Sequence, residues 1–305
     1  MSIVEKAMEK LGRTGEAPEE KTAPERVEPT SVVTPLPRAR GLEPPREDAV
    51  LRPLAPRCST PAVLSPQVRL DPVRLRALGL MPPEEGAVRM ADEYRRIKRP
   101  LLAGAFAKGA GRLPHGNLIM VGSSLPGEGK TFTSLNLALS IVQELDYTVL
   151  LVDADVAKPH ISRVLELDDK QGLIDVLVDE TLDLQDVILN TDIEGLRILP
   201  AGPVHRQSTE LLASERMAML VADMSERYSD RVLVFDTPPL LATTEAQVMS
   251  SLMGQVLLVV RAGVTPQQAV LQSLETLGPR AGVNVVLNQV RGAWSDEYYG
   301  YYEYK

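Results

Sequence analysis

Residues 117–133 read NLIMVGSSLPGEGKTFT. An apolar run, Leu118 to Val121, feeds a turn carrying Gly127 and Gly129, and Lys130 and Thr131 then open a helix. Strand, glycine-bearing turn, Lys-Thr and helix in that order describe a phosphate-binding loop. Glycine has no Cβ, so backbone N–H groups can close on phosphate oxygens. Lys130 adds a point charge for the β- and γ-phosphates, and Thr131 offers a hydroxyl to Mg²⁺. The helix expected from Phe132 to Leu145 turns its positive end toward the same anion. Gly127, Glu128, Gly129, Lys130, Thr131 and Phe132 are therefore the expected cofactor-binding residues. The strict pattern has glycine at position 124, where this chain has Ser124.

Working outward, further strand-like runs fall at Val149 to Val152, Leu196 to Leu199, Val232 to Phe235, Val256 to Val260 and Val283 to Leu287. Helical patterns lie near 84–102, 131–145, 160–166, 172–179, 183–190, 207–227, 243–252 and 265–277. Several strands are unbroken apolar runs without alternation, as in a parallel sheet covered on both faces. The expected fold is α/β: a doubly wound, mostly parallel P-loop NTPase sheet with helices on both faces. Its ligand would sit at the carboxyl ends of the strands.

Two of these strands end in acids. VLLVDAD closes on Asp153 and Asp155, and VLVFD closes on Asp236 before Thr237-Pro238-Pro239. A carboxylate at the end of a strand beside the loop reaches Mg²⁺ directly or through water. One of the Asp153–Asp155 pair could also take a proton from an attacking hydroxyl. A single aspartate in such a place usually caps a turn, but two acidic strand ends plus the loop argue for chemistry.

Composition divides the chain. Residues 14–83 are dominated by Pro, Glu, Arg and small residues and are expected to be a disordered linker, too poor in apolar groups to offset the entropy of ordering. Residues 84–292 then form the P-loop domain. Before the linker, Ser2 and Glu5 fit a capping box and Ile3, Val4, Ala7, Met8 and Leu11 recur at helical spacing, so 1–13 reads as a short amphipathic helix. It either docks on a partner or frays as an idle terminus. The net charge of −8 gives no support for nucleic-acid binding. The densest basic cluster, Arg95, Arg96, Lys98 and Arg99, reads as a solvated helix face. A lone Cys58 excludes a disulfide framework and fits a reducing cytoplasm. No run approaches the ~18 apolar residues of a membrane span, and the first residues lack the apolar core of a signal peptide. Residues 293–305, WSDEYYGYYEYK preceded by Ala293, hold five of the chain's eight tyrosines and read as a flexible tail.

In combination, SSLPGEGKT, LLVDADVAKP, VLVFDTPP, VLLVVRAGVT, VLNQV and the terminal tyrosine cluster resemble the cytoplasmic kinase domain of bacterial tyrosine kinases, from about Ala91 to Lys305. Those enzymes have a partition-ATPase-like P-loop fold and are unrelated to eukaryotic protein kinases. The resemblance implies an ATP- and Mg²⁺-dependent protein-tyrosine autokinase with Lys130, Asp153 and Asp155 as catalytic residues. Asp153 would activate the tyrosine hydroxyl, while Thr131, Asp155 and Asp236 would organise the metal. Tyr298, Tyr299, Tyr301, Tyr302 and Tyr304 would be the phosphoacceptors, modified in trans. Glu93, Arg96 and Arg99 fit the family's E-x-x-R-x-x-R pattern of subunit contacts, implying a ring; spacing alone suggests an ordinary intrahelical pair. One position departs from the family: the second acidic motif usually ends in arginine, and here Ala157 is followed by Lys158. A lysine does not reproduce a bidentate guanidinium.

The N-terminal MSIVEKAMEKLG and Pro-rich linker further resemble autokinases of exosortase-type exopolysaccharide clusters. That implies a cytoplasmic protein, peripheral at the inner membrane through a membrane-embedded activator of the chain-length-determinant type, with a tyrosine phosphatase opposing it. Two other readings remain: a partition or septum-positioning ATPase, whose signature lysine would stand at Leu125, and a nucleotide-binding scaffold without turnover.

Overall fold

In the computed structural model, which describes residues 67–290 except 108, 228–230 and 281, the loop strand is buried at every position from Leu118 to Ser123. The described residues all belong to one unit, Leu64–Lys305. The expected helix at 1–13, residues 14–66 of the linker and the tail at 293–305 lie outside the described residues.

The elements run β1 (Gln67–Val68), α1 (Pro72–Ala77), α2 (Ala87–Phe106), β2 (Leu118–Ser123), α3 (Lys130–Ile141), β3 (Thr148–Asp153), α4 (His160–Val164), α5 (Leu173–Val178), α6 (Leu184–Val187), β4 (Leu189–Thr191), β5 (Leu196–Leu199), α7 (Ser208–Leu212), α8 (Glu215–Arg227), β6 (Arg231–Asp236), α9 (Thr244–Leu252), β7 (Gln255–Arg261), α10 (Gln267–Leu277) and β8 (Val283–Asn288). The eight strands lie in the order β1-β4-β5-β3-β6-β2-β7-β8. All neighbours are parallel except β4 and β5.

Successive side chains of a strand point to opposite faces, and here both faces are apolar. Met120, Leu150, Val152, Leu233 and Phe235 enter one core, and Ile119, Val121, Leu151, Val232 and Val234 enter the other. This is the doubly wound sheet expected. The loop strand β2 sits between β6 and β7, so the carboxyl ends of β2, β6 and β3 lie side by side.

Three expectations need correction. The linker does not extend to residue 83: β1 pairs with β4 through Gln67↔Asn190 and Val68↔Thr191, and Val68, Leu70, Leu75 and Leu80 are buried. Asp71 caps α1 by accepting from the Val73 N–H at 3.0 Å, with Pro72 at the first helical position. Asn136 of α3 donates to the Leu80 carbonyl at 2.8 Å, which fastens this segment to the loop helix. The 183–190 helix is one short turn followed by β4, because Leu189 and Thr191 are buried against β5. The 207–227 helix is broken, and the Ser214 hydroxyl accepts from the Met217 N–H as the chain restarts at Glu215.

Candidate active site

The turn between β2 and α3 needs backbone that few side chains tolerate. Gly127 has φ +81° and Gly129 has φ +95°. A Cβ on Gly129 would also run into the Asn288 side-chain amide, whereas the space beside Gly127 is open. The Asn288 amide donates to the Glu128 carbonyl at 2.9 Å. Glu128 is expected among the cofactor-binding residues, yet its carboxylate is buried beneath the loop. Oε2 accepts the Leu125 N–H at 2.8 Å and Oε1 accepts the Thr265 hydroxyl. It props the turn from inside. The departure at Ser124 has a structural reason: the side chain is fully buried and its Oγ lies 2.8 Å from the Ser273 Oγ of α10.

On the other flank, charge converges. Lys130 Nζ lies 2.9 Å from Asp155 Oδ2. Burial pulls the Lys130 ammonium down, but Asp236 and Asp155 together hold its pKa above the ordinary lysine value. Asp236 accepts from the Thr131 hydroxyl, and its Oδ1 is 3.1 Å from the Ser134 hydroxyl. Asp153 stands beside Asp236 in strand register and receives both the N–H and the hydroxyl of Ser162 on Oδ2, at 2.7 and 2.8 Å. Burial, then the neighbouring Asp236, push Asp153 up to about 7. Burial pushes Asp236 up to about 6, against Lys130 and the Thr131 hydrogen bond. Asp153 Oδ1 and Asp236 Oδ2 are buried with no hydrogen-bond partner among the described residues. Two orphaned carboxylate oxygens side by side call for a cation or water between the strand ends.

A cavity of about 780 Å³ opens above the loop, in the range of small-ligand pockets. Gly127, Gly129, Lys130, Thr131 and Phe132 line it, as expected of cofactor-binding residues, together with His160. Glu93 of α2 also faces this cavity and pairs with Arg89 at 3.2 Å, whereas Arg96 and Arg99 are exposed. Lys98 corrects the reading of a solvated basic face: it is buried, 2.6 Å from the Ser140 carbonyl and 2.7 Å from Glu144. Lys158 is exposed and gives its N–H to the Asp155 carbonyl. Tyr298, Tyr299, Tyr301, Tyr302 and Tyr304 lie outside the described residues. Among the described residues no helix is long and apolar enough to cross a membrane, and no three acidic, histidine or cysteine side chains form a metal cluster.

A family model described as an AAA domain matches residues 116–278, more than half of the chain. Tyrosine-protein kinase YwqD of Bacillus subtilis is 31% identical over 186 residues, 60% of this chain and 76% of YwqD. The chain belongs to the bacterial tyrosine-protein kinase family. Tyrosine-protein kinase wzc of Salmonella typhimurium is 35% identical over 193 residues, 62% of this chain but 26% of wzc, so the chain spans about a quarter of that relative's length. The solved kinase domain of Escherichia coli tyrosine kinase ETK superposes with a TM-score of 0.56 at 28% identity, over 67% of this chain and 78% of that domain. Within this tyrosine-kinase fold, the residues that sequence reasoning missed are the supports: Ser134, Ser162, Thr265, Ser273 and Asn288. Only Ser134 carried a signal, four residues after Lys130 and so on the same helix face.

Proposed function

We propose that the protein is an ATP- and Mg²⁺-dependent protein-tyrosine autokinase that phosphorylates Tyr298, Tyr299, Tyr301, Tyr302 and Tyr304 in trans. The observation that carries this reading is the meeting of Lys130 with three strand-end carboxylates, two of which keep an unsatisfied oxygen. Thr131, Asp155 and Asp236 offer the hard oxygen donors that Mg²⁺ takes with water and phosphate, and the orphaned Asp236 oxygen fits that use. The ion would neutralise charge on the triphosphate. Backbone N–H groups at Gly127 to Thr131 and the Lys130 ammonium hold the phosphates, and catalysis is positioning and charge stabilisation.

The same reading extends to the cell. The resemblance to exosortase-associated autokinases supports a cytoplasmic enzyme held at the inner membrane by a chain-length-determinant-type activator, tuning exopolysaccharide polymerisation or export, with a tyrosine phosphatase as its opponent. A ring through Glu93, Arg96 and Arg99 would bring one subunit's tail to its neighbour's site. Each phosphate added to the tail brings about −1.5 to −2 charges and would loosen such a ring.

The test is incubation of purified protein with Mg-ATP, alone and with its membrane activator, followed by mass-spectrometric mapping. Phosphate on the tail that vanishes in Lys130→Met is the expected result. Steady ATP hydrolysis with an unmodified tail in both settings would favour the partition-type ATPase instead.

A further inference from the structure

The two strand ends that face each other in register, Asp153 of β3 and Asp236 of β6, are held in the same one-sided way. Each has one oxygen bonded to a serine hydroxyl and the other without a partner among the described residues. Asp153 is the more firmly gripped. Its Oδ2 takes the Ser162 N–H at 2.7 Å and the Ser162 hydroxyl at 2.8 Å, while Oδ1 takes neither. The fold sets both donors. Ser162 is the third residue of α4, where an N–H has no carbonyl within its own helix and is free to reach elsewhere. Its hydroxyl has a single proton, and the Oγ accepts the Ala201 N–H at 3.1 Å, so that proton is turned onto Asp153. Ala201, just past β5, is anchored in turn, because its carbonyl accepts the Ile174 N–H of α5 at 3.0 Å. Ser162 itself is buried.

Resting on the kinase reading, we propose that Ser162 is a positioning residue for phosphoryl transfer: it clamps Oδ2 and so fixes Oδ1 as the oxygen with which Asp153 works on the incoming tyrosine hydroxyl. The phenolic oxygen bonds to the γ-phosphorus as the bond from that phosphorus to the β,γ-bridging oxygen breaks. ADP leaves with that electron pair, and the phenol proton passes to Asp153 Oδ1. A carboxylate turns easily about its Cβ–Cγ bond and would otherwise offer either oxygen over a range of directions. Two bonds to one oxygen, both from a neighbouring helix, remove that freedom before substrate arrives, as a reaction run by positioning requires. A purely structural role has no use for the asymmetry. One bond to each oxygen would satisfy a buried carboxylate better than two bonds to the same one. Through Ala201 the clamp is also held from the end of β5, so the direction of Asp153 does not rest on α4 alone.

The test is a double-mutant cycle in the full chain, reading initial rates of tail phosphorylation against Mg-ATP concentration. Ser162→Ala keeps the N–H bond and removes the hydroxyl. It should lower kcat about tenfold and leave KM for ATP within roughly twofold. Ser162→Cys keeps the size of the side chain but donates weakly, so it should fall in the same direction even where Ser162→Ala does not fold. Ser162→Thr restores a hydroxyl and should recover most of the rate. In an Asp153→Asn background, Ser162→Ala should cost less than about twofold, because an amide does not take the phenol proton however it is turned. An equal loss in both backgrounds, an unchanged kcat in Ser162→Ala or Ser162→Cys, or a loss confined to KM overturns the assignment. A different failure is separable: if the unchanged chain forms no phosphotyrosine, with or without its activator, the kinase reading falls and this proposal falls with it.

Discussion

The two flanks of the phosphate loop are built on opposite principles. Toward β7 and β8 the contacts are neutral or fully answered: Ser124 meets Ser273, Thr265 and the Leu125 N–H satisfy Glu128, and Asn288 holds the Glu128 carbonyl. Toward β6 and β3 the groups are charged, crowded and incompletely answered, with Asp153 and Asp236 each keeping a buried free oxygen. A satisfied flank gives rigidity, and an unsatisfied one stores a binding site. The phosphate loop is a mould fixed on one side and left open on the other.

This contrast can be broken from either side. The largest effect is expected on the open flank: Lys130→Met removes the ammonium that faces three carboxylates and should lower tail phosphorylation by about 10²-fold or more, measured by phosphotyrosine formation per minute. Next comes Gly129→Ala, which forces a side chain into φ +95° against Asn288. It should cost about 1–3 kcal/mol in urea unfolding and abolish detectable ATP binding. A smaller loss belongs to the fixed flank. Asn288→Ala or Ser273→Ala removes one hydrogen bond worth about 1 kcal/mol, and should loosen nucleotide affinity several-fold while a full complement of nucleotide restores most of kcat.

A last test is a pH slope. Asp153, at about 7 in the fold, keeps a proton that an unfolded aspartate, near 3.9, has already released. Its raised value means stability is highest below the unfolded value, falls as pH rises toward 7, and is level above that. The nucleotide-free protein should therefore melt higher near pH 5 than near pH 8, and Asp153→Asn should flatten the slope. An unchanged slope in that variant would show that Asp153 is ionised in the fold throughout.

The open flank was legible in the sequence because its parts are local: apolar runs end in Asp153, Asp155 and Asp236, and Lys130 follows its own glycines. The fixed flank was not. Ser273, Thr265 and Asn288 are ordinary polar residues that reach the loop only because the sheet order puts β7 and β8 beside β2. Residues 67–83 escaped because they continue the Pro- and Arg-bearing stretch before them, although Val68, Leu70, Leu75 and Leu80 are buried apolar side chains spread through the segment. Glu93, Arg96 and Arg99 match a pattern by spacing, on a helix that packs by Tyr94, Lys98 and Leu101.

The seating of that early segment also sets an order of events at the ribosome. Gln67 and Val68 emerge long before Asn190 and Thr191, the residues they pair with, and Leu80 emerges before Asn136. Because chain closure over so long a separation is slow, this edge of the sheet has to wait while the inner strands form. Nascent chains halted before residue 190 should leave Val68, Leu70 and Leu75 accessible to a chaperone, so the last edge to close belongs to the first piece of the domain to be made.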